Sequence, residues 1–309
     1  MPALARLRAA FGRIWLVDPN DGARAAATTV LRERPACRLV DVQDDIHLVI
    51  VATPNRSHGP LAHEALARGA HVLIEKPFVA WPEEGRRLVE AGAAANRVIA
   101  VNQTRRFLSL TGDLRRRIGE GAFGALRSIV HREGTKLTWP FESGAAFAKD
   151  AQRTGVIMDF GVHVLDFYHY LLRPGWTFVS AIHDGFDGPE GLAEIELRAG
   201  DAPVSLRLSR YHTQENVARL VFERAEVVFD VYDARTYSVR ASSGKVMSIT
   251  AEGAIEYSAY ADAVLLNFVA ASENREPAVC DAASSLPVIA LLDEIYRGAR
   301  RYPAELGSV

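Results

Sequence analysis

Three short runs, "HLVIVATP", "HVLIEKP" and "VIAVNQ", are apolar on consecutive residues rather than on alternate ones. A strand buried on both faces reads this way, and such strands belong to parallel sheets covered by helices. Between them lie "SHGPLAHEALARGA", which reads as a helix closing at Gly69, and "PEEGRRLVEAGAAAN", a second helix. Repeated strand, helix and strand with short turns confine this part of the chain to a doubly wound parallel sheet.

The same alternation extends upstream, with one misfit. Arg13 to Val17 read as a strand ending at Asp18, followed by a helix from Ala23 to Arg34 that Pro35 stops. Before them Leu4, Leu7 and Phe11 recur at helical spacing, so residues 3 to 11 form an amphipathic helix. A helix feeding a strand that ends in an acid is the second half of a βαβ unit, and its first strand is expected to be missing. Between "CRLV" and "HLVIVA" only "DVQDDI" intervenes, too short for a parallel crossover of about a dozen residues. Either Cys37 to Val40 is not a sheet strand or its crossover helix has been trimmed.

After Gln103 the pattern changes. A helix from Gly112 to Gly119, the strand "LRSIVHREG" and a Gly, Ala and Ser-rich loop from Trp139 to Gly155 lead to "VIMDFGVHVLDFYHYLL". From Trp176 to Thr250 the alternation has period two, which predicts antiparallel strands, and two helices close the chain. The fold class is therefore α/β: a Rossmann-like doubly wound parallel sheet lacking its first strand over 1–103, then an α+β domain with an open antiparallel sheet over 104–309. An open sheet exposes an apolar face unless it is covered, which predicts a homo-oligomer.

Composition narrows the partners. Net charge is −2 over 309 residues, so no basic field invites nucleic acid or a membrane surface. No segment approaches ~18 consecutive apolar residues. Cys37 and Cys280 stand far apart and outside any C-x-x-C, which indicates neither a disulfide framework nor a thiolate metal site and favours the cytoplasm. A small-molecule substrate is the expected partner.

In a doubly wound sheet, ligands sit beyond the carboxyl ends of the strands. One such end carries Thr53, Pro54, Asn55 and His58, and another carries Glu75, Lys76 and Pro77. Pro77 disfavours helical backbone at Lys76, which keeps the lysine extended at the mouth of the crevice. On a helix, Asp159, His163 and Asp166 share one face at i, i+4 and i+7. A carboxylate one turn from an imidazole suits a general base. The same spacing equally suits a buried histidine satisfied by a neighbouring acid. Metal binding is the weakest reading, because no third His or Cys ligand accompanies the pair.

Taken together, "VIVATPNRSH", "ARGAHVLIEKPF", "TGVIMDFGVHVLDFYHYLL" and the closing "FVAASENREPAVCDAASSLPVIALLDEIYRGARR" resemble the Gfo/Idh/MocA family of nicotinamide-dependent oxidoreductases. The resemblance runs along nearly the whole chain in the family's order. It implies Lys76, Asp159 and His163 as the catalytic group: His163 takes the hydroxyl proton, Lys76 steadies the oxygen, and Asp159 orients the substrate or His163. It further implies a dinucleotide held at Asp18, Thr53, Pro54, Asn55, His58, Glu75 and Lys76, and a sugar-like or cyclitol-like substrate. Arg105, Arg106, Lys149 and Tyr211 are candidate specificity contacts.

The family's first strand ends in a G-x-G-x-x-G loop that cradles the cofactor pyrophosphate. No such loop occurs in this sequence, and the ribose-binding acid lies about 20 residues past the glycines, which places them just before Met1. "MPALARL" matches the helix that follows that loop. Either a downstream start has been recorded or the loss is natural. Asp18 would accept both ribose hydroxyls and repel a 2′-phosphate, favouring NAD over NADP; a turn-former before Pro19 is its plainer role. The rival readings are a catalytically silent member that binds a ligand or partner without a dinucleotide, and an enzyme that recycles NAD without net redox change.

Overall fold

Consecutive burial does produce parallel strands here, but in two separate pieces. The computed structural model describes residues 2–136, 153–185, 188–253 and 258–303. The chain starts with α1 (Pro2–Arg6) and a 3₁₀ turn at Arg8–Ala10, where one helix over 3 to 11 was expected. Next come β1 (Trp15–Val17), α2 (Asp21–Leu31) and β2 (Arg34–Ala36), and β1 pairs in parallel with β2 alone. The second piece holds β3 (Leu48–Val51), α3 (His58–Ala67), β4 (His71–Ile74), α4 (Pro82–Ala94) and β5 (Ile99–Val101), in the order β3-β4-β5. Val17 and Ile50, on strands that pair on one side only, are 39% and 42% exposed, where an interior strand would bury them.

The misfit between "CRLV" and "HLVIVA" has a local cause. α2 ends with Arg32 in the left-handed region at φ 54, so the chain reverses early and the strand forms at Arg34–Ala36, not at Cys37 to Val40. Pro35 lacks an N–H and is tolerated at a sheet edge. The crossover to β3 is reduced to a 3₁₀ turn at Leu39–Asp41, and Arg68 straps it to α3 by donating to Leu39 O and Val42 O at 2.6 and 2.7 Å.

The second part opens with α5 (Ser109–Gly119), β6 (Leu126–Gly134) and α6 (Val156–Leu172). There follow β7 (Trp176–His183), β8 (Leu192–Ala199), β9 (Ala202–Ser209), β10 (Val217–Phe222), β11 (Ala225–Asp230), β12 (Thr236–Ala241) and β13 (Val246–Thr250). Helices α7 (Ser258–Ser272) and α8 (Ala282–Gly298) and a short β14 (Arg300–Arg301) complete it. The nine-stranded sheet runs β13-β12-β11-β10-β6-β9-β8-β7-β14 and is mixed: β6 lies parallel to β9, and β14 to β7.

One face of that sheet packs against α6 and α8, forming a single core with the β3-β4-β5 strands. The other face is mixed. Cross-strand pairs lie on it, with Arg219 and Arg240 on Glu226, Arg207 on Glu194 and Ser205 on Glu196, between half-buried Val130, Val217, Val221 and Val228. α7 packs back on α1 with Val264, Leu265 and Phe268 against Leu4, Leu7 and Phe11, and α8 packs on α4 and β5. Sheets divide at about residue 103, while the last two helices return to the first part. Among the described residues no helix is long and apolar enough to cross a membrane.

Candidate active site

The carboxyl ends of β3, β4 and β5 open toward α6. Glu75 follows β4, its N–H on Val51 O at 2.9 Å, and its carboxylate accepts from the Asn102 amide at 2.6 Å. Lys76 comes next, joined to Pro77 by a cis peptide bond. Its ammonium reaches across to α6, where it pairs with Asp159 Oδ1 and lies 3.3 Å from the Asp159 carbonyl.

Eleven of the seventeen residues of α6 are buried, from Val156 to Leu171. Asp159, Phe160 and His163 are only partly covered, so one turn of this otherwise apolar helix faces the crevice. Glu190 closes the helix start. Its carbonyl accepts the Val156 N–H at 2.7 Å, and its Oε1 accepts the Ile157 N–H at 3.1 Å and the Tyr296 hydroxyl at 2.7 Å. Arg153, just upstream, donates to Ala80 O at 3.0 Å, pairs with Asp293, and stacks 3.6 Å above the Trp81 ring. Together these contacts fix the turn that carries Asp159 and His163.

Two cations share the Asp159 carboxylate. Lys76 holds Oδ1, and Arg210, just past β9, holds Oδ2. Burial alone would raise its pKa, but Lys76 and Arg210 outweigh that and lower it to about 2. His163 is not bonded to Asp159. Its Nδ1 is buried without a partner among the described residues, and burial, then Lys76 and Arg105, push its pKa well below the ordinary value. The result is an anionic carboxylate, an ammonium and a neutral imidazole at one mouth.

The other expected residues divide. Pro54 is exposed, Asn55 opens a 3₁₀ turn, and Thr53 Oγ1 is buried with no partner among the described residues. Asp18 follows β1 and accepts the Asn20 N–H at 2.8 Å, the bond of a turn-former. His58 does not face the crevice: it is fully buried, its ring nitrogens 2.7 Å from Pro77 O and Thr53 O, so it fastens the two loops from beneath.

Asp166 turns from the site as well. One turn beyond His163 the same helix face is covered by residues 104–107, where Arg106 closes on Asp166 at 2.8 and 2.6 Å. Arg105 is likewise bound, bidentate to buried Glu133 at 3.0 and 2.6 Å. Neither arginine is free to read a substrate. Tyr211 is 58% exposed and packs on Gly191, and Lys149 and the Trp139 end of its loop lie outside the described residues. Sequence reasoning missed Arg210 and Glu190. The signal for Arg210 was its place one residue past the last alternating position of "PVSLRLS".

A dinucleotide fits this edge in part. The orphaned Thr53 Oγ1, the loop after β3 and the Lys76 end of β4 suit its nicotinamide half, whereas no glycine loop stands at a described strand end to take the pyrophosphate. Among the described residues no cluster of three or more His, Cys, Asp or Glu is placed to hold a metal ion.

Residues 8–103 match the family model GFO_IDH_MocA, described as an oxidoreductase family with an NAD-binding Rossmann fold. The D-glucoside 3-dehydrogenase of Escherichia coli is 31% identical over 149 residues, 48% of this chain and 41% of that protein. Inositol 2-dehydrogenase 4 of Saccharopolyspora erythraea is 32% identical over 158 residues, 50% of this chain and 44% of that one. The match thus spans less than half the length of these relatives. The crystal structure of KijD10, a 3-ketoreductase from Actinomadura kijaniata in complex with NADP and TDP-benzene, superimposes with a TM-score of 0.80. It is 18% identical, covers 98% of this chain and 94% of its own, and shares the fold.

Proposed function

We propose that the chain is a Gfo/Idh/MocA oxidoreductase, the family whose model matches residues 8–103, and that it moves a hydride between a nicotinamide cofactor and a sugar-like or cyclitol-like alcohol or its ketone. The observation that carries the reading is the Lys76–Asp159 pair across the crevice, with a neutral His163 one helical turn away. A neutral imidazole can take the proton of a substrate hydroxyl. The Lys76 ammonium can hold that oxygen and stabilise the negative charge growing on it. Asp159, kept ionised by two cations, holds Lys76 in place. The cofactor, when bound, supplies the hydride acceptor or donor. Thr53, Pro54, Asn55, Glu75 and Lys76 would line its nicotinamide half, and Asp18 a ribose, which favours NAD over NADP.

The divided parallel sheet supports a second reading, a silent family member that binds a ligand without the dinucleotide. Calorimetric titration with NAD and NADH, followed by assays on cyclitols and glucosides, tests both. Micromolar binding and net NADH formation are expected; binding of a polyol without either cofactor would favour the silent reading.

A further inference from the structure

We propose that Arg210 is a positioning residue: it takes over the whole Asp159 carboxylate when substrate enters and so frees the Lys76 ammonium for the reacting oxygen. The inference rests on the oxidoreductase reading above, in which Arg210 only keeps Asp159 ionised, and gives that residue a part in substrate entry.

An arginine presents Nε–H and the neighbouring Nη2 on one edge, spaced to match the two oxygens of a carboxylate. Two arginines of this chain show the edge closed. Arg106 grips Asp166 through Nε and Nη2 at 2.8 and 2.6 Å, and Arg6 grips Asp262 at 2.9 and 2.6 Å. Arg210 leaves the edge half closed. Its Nη2 holds Asp159 Oδ2, while its Nε is buried with no partner among the described residues. The oxygen that would complete the fork, Oδ1, is on Lys76.

Two pairings therefore compete for one carboxylate. With Asp159 shared, the Lys76 ammonium donates to Oδ1 and, at 3.3 Å, to the Asp159 carbonyl, and a buried N–H of Arg210 lacks an acceptor, an unfavourable arrangement for a polar group out of water. With Asp159 closed on Arg210, that N–H is satisfied and the ammonium keeps only the Asp159 carbonyl, leaving the proton that Oδ1 held for the reacting oxygen. A substrate hydroxyl arriving at Lys76 takes the place of Oδ1 as acceptor, and Arg210 Nε receives Oδ1 in turn. No proton moves in this exchange; Asp159 stays anionic and both cations stay charged. The fork is held for the purpose by the Arg210 N–H on Gly191 O at 2.7 Å and by the Phe160 ring, 5.9 Å from the guanidinium.

Lys76→Met removes the competitor without cofactor or substrate. In protein labelled with ¹⁵N-arginine, the Arg210 Nε–Hε signal is assigned by its loss in Arg210→Lys. In Lys76→Met that signal is expected to move downfield and its exchange with water to slow about tenfold, as one added charge-assisted hydrogen bond would produce. An unchanged signal overturns the proposal. Kinetics give an independent arm. Arg210→Lys keeps the charge but has no fork, so kcat on the polyol substrate is expected to fall about tenfold with KM little changed. Full kcat in Arg210→Lys also overturns it. A wild-type chain that turns over no polyol defeats the oxidoreductase reading instead and leaves the Nε–Hε result to decide this one.

Discussion

Lys76 and Asp159, 83 residues apart in sequence, form an ion pair that joins the end of a parallel strand to the first turn of α6. Both side chains remain partly exposed, so the pair adds little to stability. Its value is in placing a cation beside the imidazole. Lys76→Ala and His163→Ala are each expected to lower turnover at least about 100-fold while leaving the thermal midpoint nearly unchanged. Retained turnover in either variant would remove that residue from the chemistry.

Burial, then Lys76 and Arg105, hold His163 below the ordinary histidine value of 6.5. Alcohol oxidation is therefore expected to stay flat as pH falls through 6.5, because the base remains neutral. Ketone reduction, which consumes the proton, is expected to quicken as pH falls. The stability effect has a definite sign. Between the lowered pKa and 6.5 the unfolded chain binds a proton that the folded chain does not, so stability rises with pH across that window. Asp159 acts lower still: with a folded value of about 2 against 3.8, it adds stability above pH 3.8 that is lost as pH falls toward 2, small in size because the pair is partly solvated. Titration of the His163 ring protons by NMR, beside urea melts, checks both; a midpoint at or above 6.5 would contradict the account.

Gly155 precedes α6 with no room for a side chain. A Cβ there would lie 2.1 to 2.4 Å from the Glu190 carboxylate, which is bonded to Ile157 N–H and the Tyr296 hydroxyl. Gly155→Ala is expected to displace that carboxylate and destabilise the fold by about 1–3 kcal/mol. Activity should fall with it, since the same turn carries Asp159. A variant with unchanged urea midpoint and full turnover would show that Glu190 gives way freely.

Arg106 and Asp166 are each 1% exposed as side chains, and Arg106 also donates to Val279 O and the Ser284 hydroxyl at 2.9 and 2.7 Å. Truncation would strand a buried carboxylate. Arg106→Met is expected to destabilise by about 3–5 kcal/mol, with the KM of whatever protein remains folded unchanged. A stable variant with a raised KM would return Arg106 to the substrate site.

Much of this arrangement was legible in the amino-acid order itself. Consecutive burial marked β3, β4 and β5, and the D-x-x-x-H spacing on an apolar run marked α6. A further sign was available in composition: the only lysines are Lys76, Lys136, Lys149 and Lys245 in a chain otherwise supplied with arginine, so a lysine at a strand end was already unusual. What could not be read depends on pairing across long separations. Arg210 reaches Asp159 from just past β9, which lies parallel beside β6, and period-two alternation looks the same in parallel and antiparallel neighbours when one face meets solvent. Likewise nothing local to Arg105 or Arg106 says that Glu133 and Asp166 wait for them in the core. His58 misled for the opposite reason: it sits beside ligand-facing residues in sequence, yet its ring points inward beneath them.

The two-piece parallel sheet has a consequence for how the molecule breathes. Three-residue strands in a two-stranded ribbon are too short to hold themselves in water. The β1–β2 ribbon depends on side-chain ties such as Trp15 Nε1 to Asp44 at 2.9 Å. It is expected to open as its own cooperative unit, with amide exchange at Leu16 and Val17 far faster than at Val72 and Ile74. A dinucleotide that touched both Asp18 and Lys76 would bind across that seam, and its protection would then fall mainly on the ribbon, linking cofactor affinity to the local folding of the first forty residues.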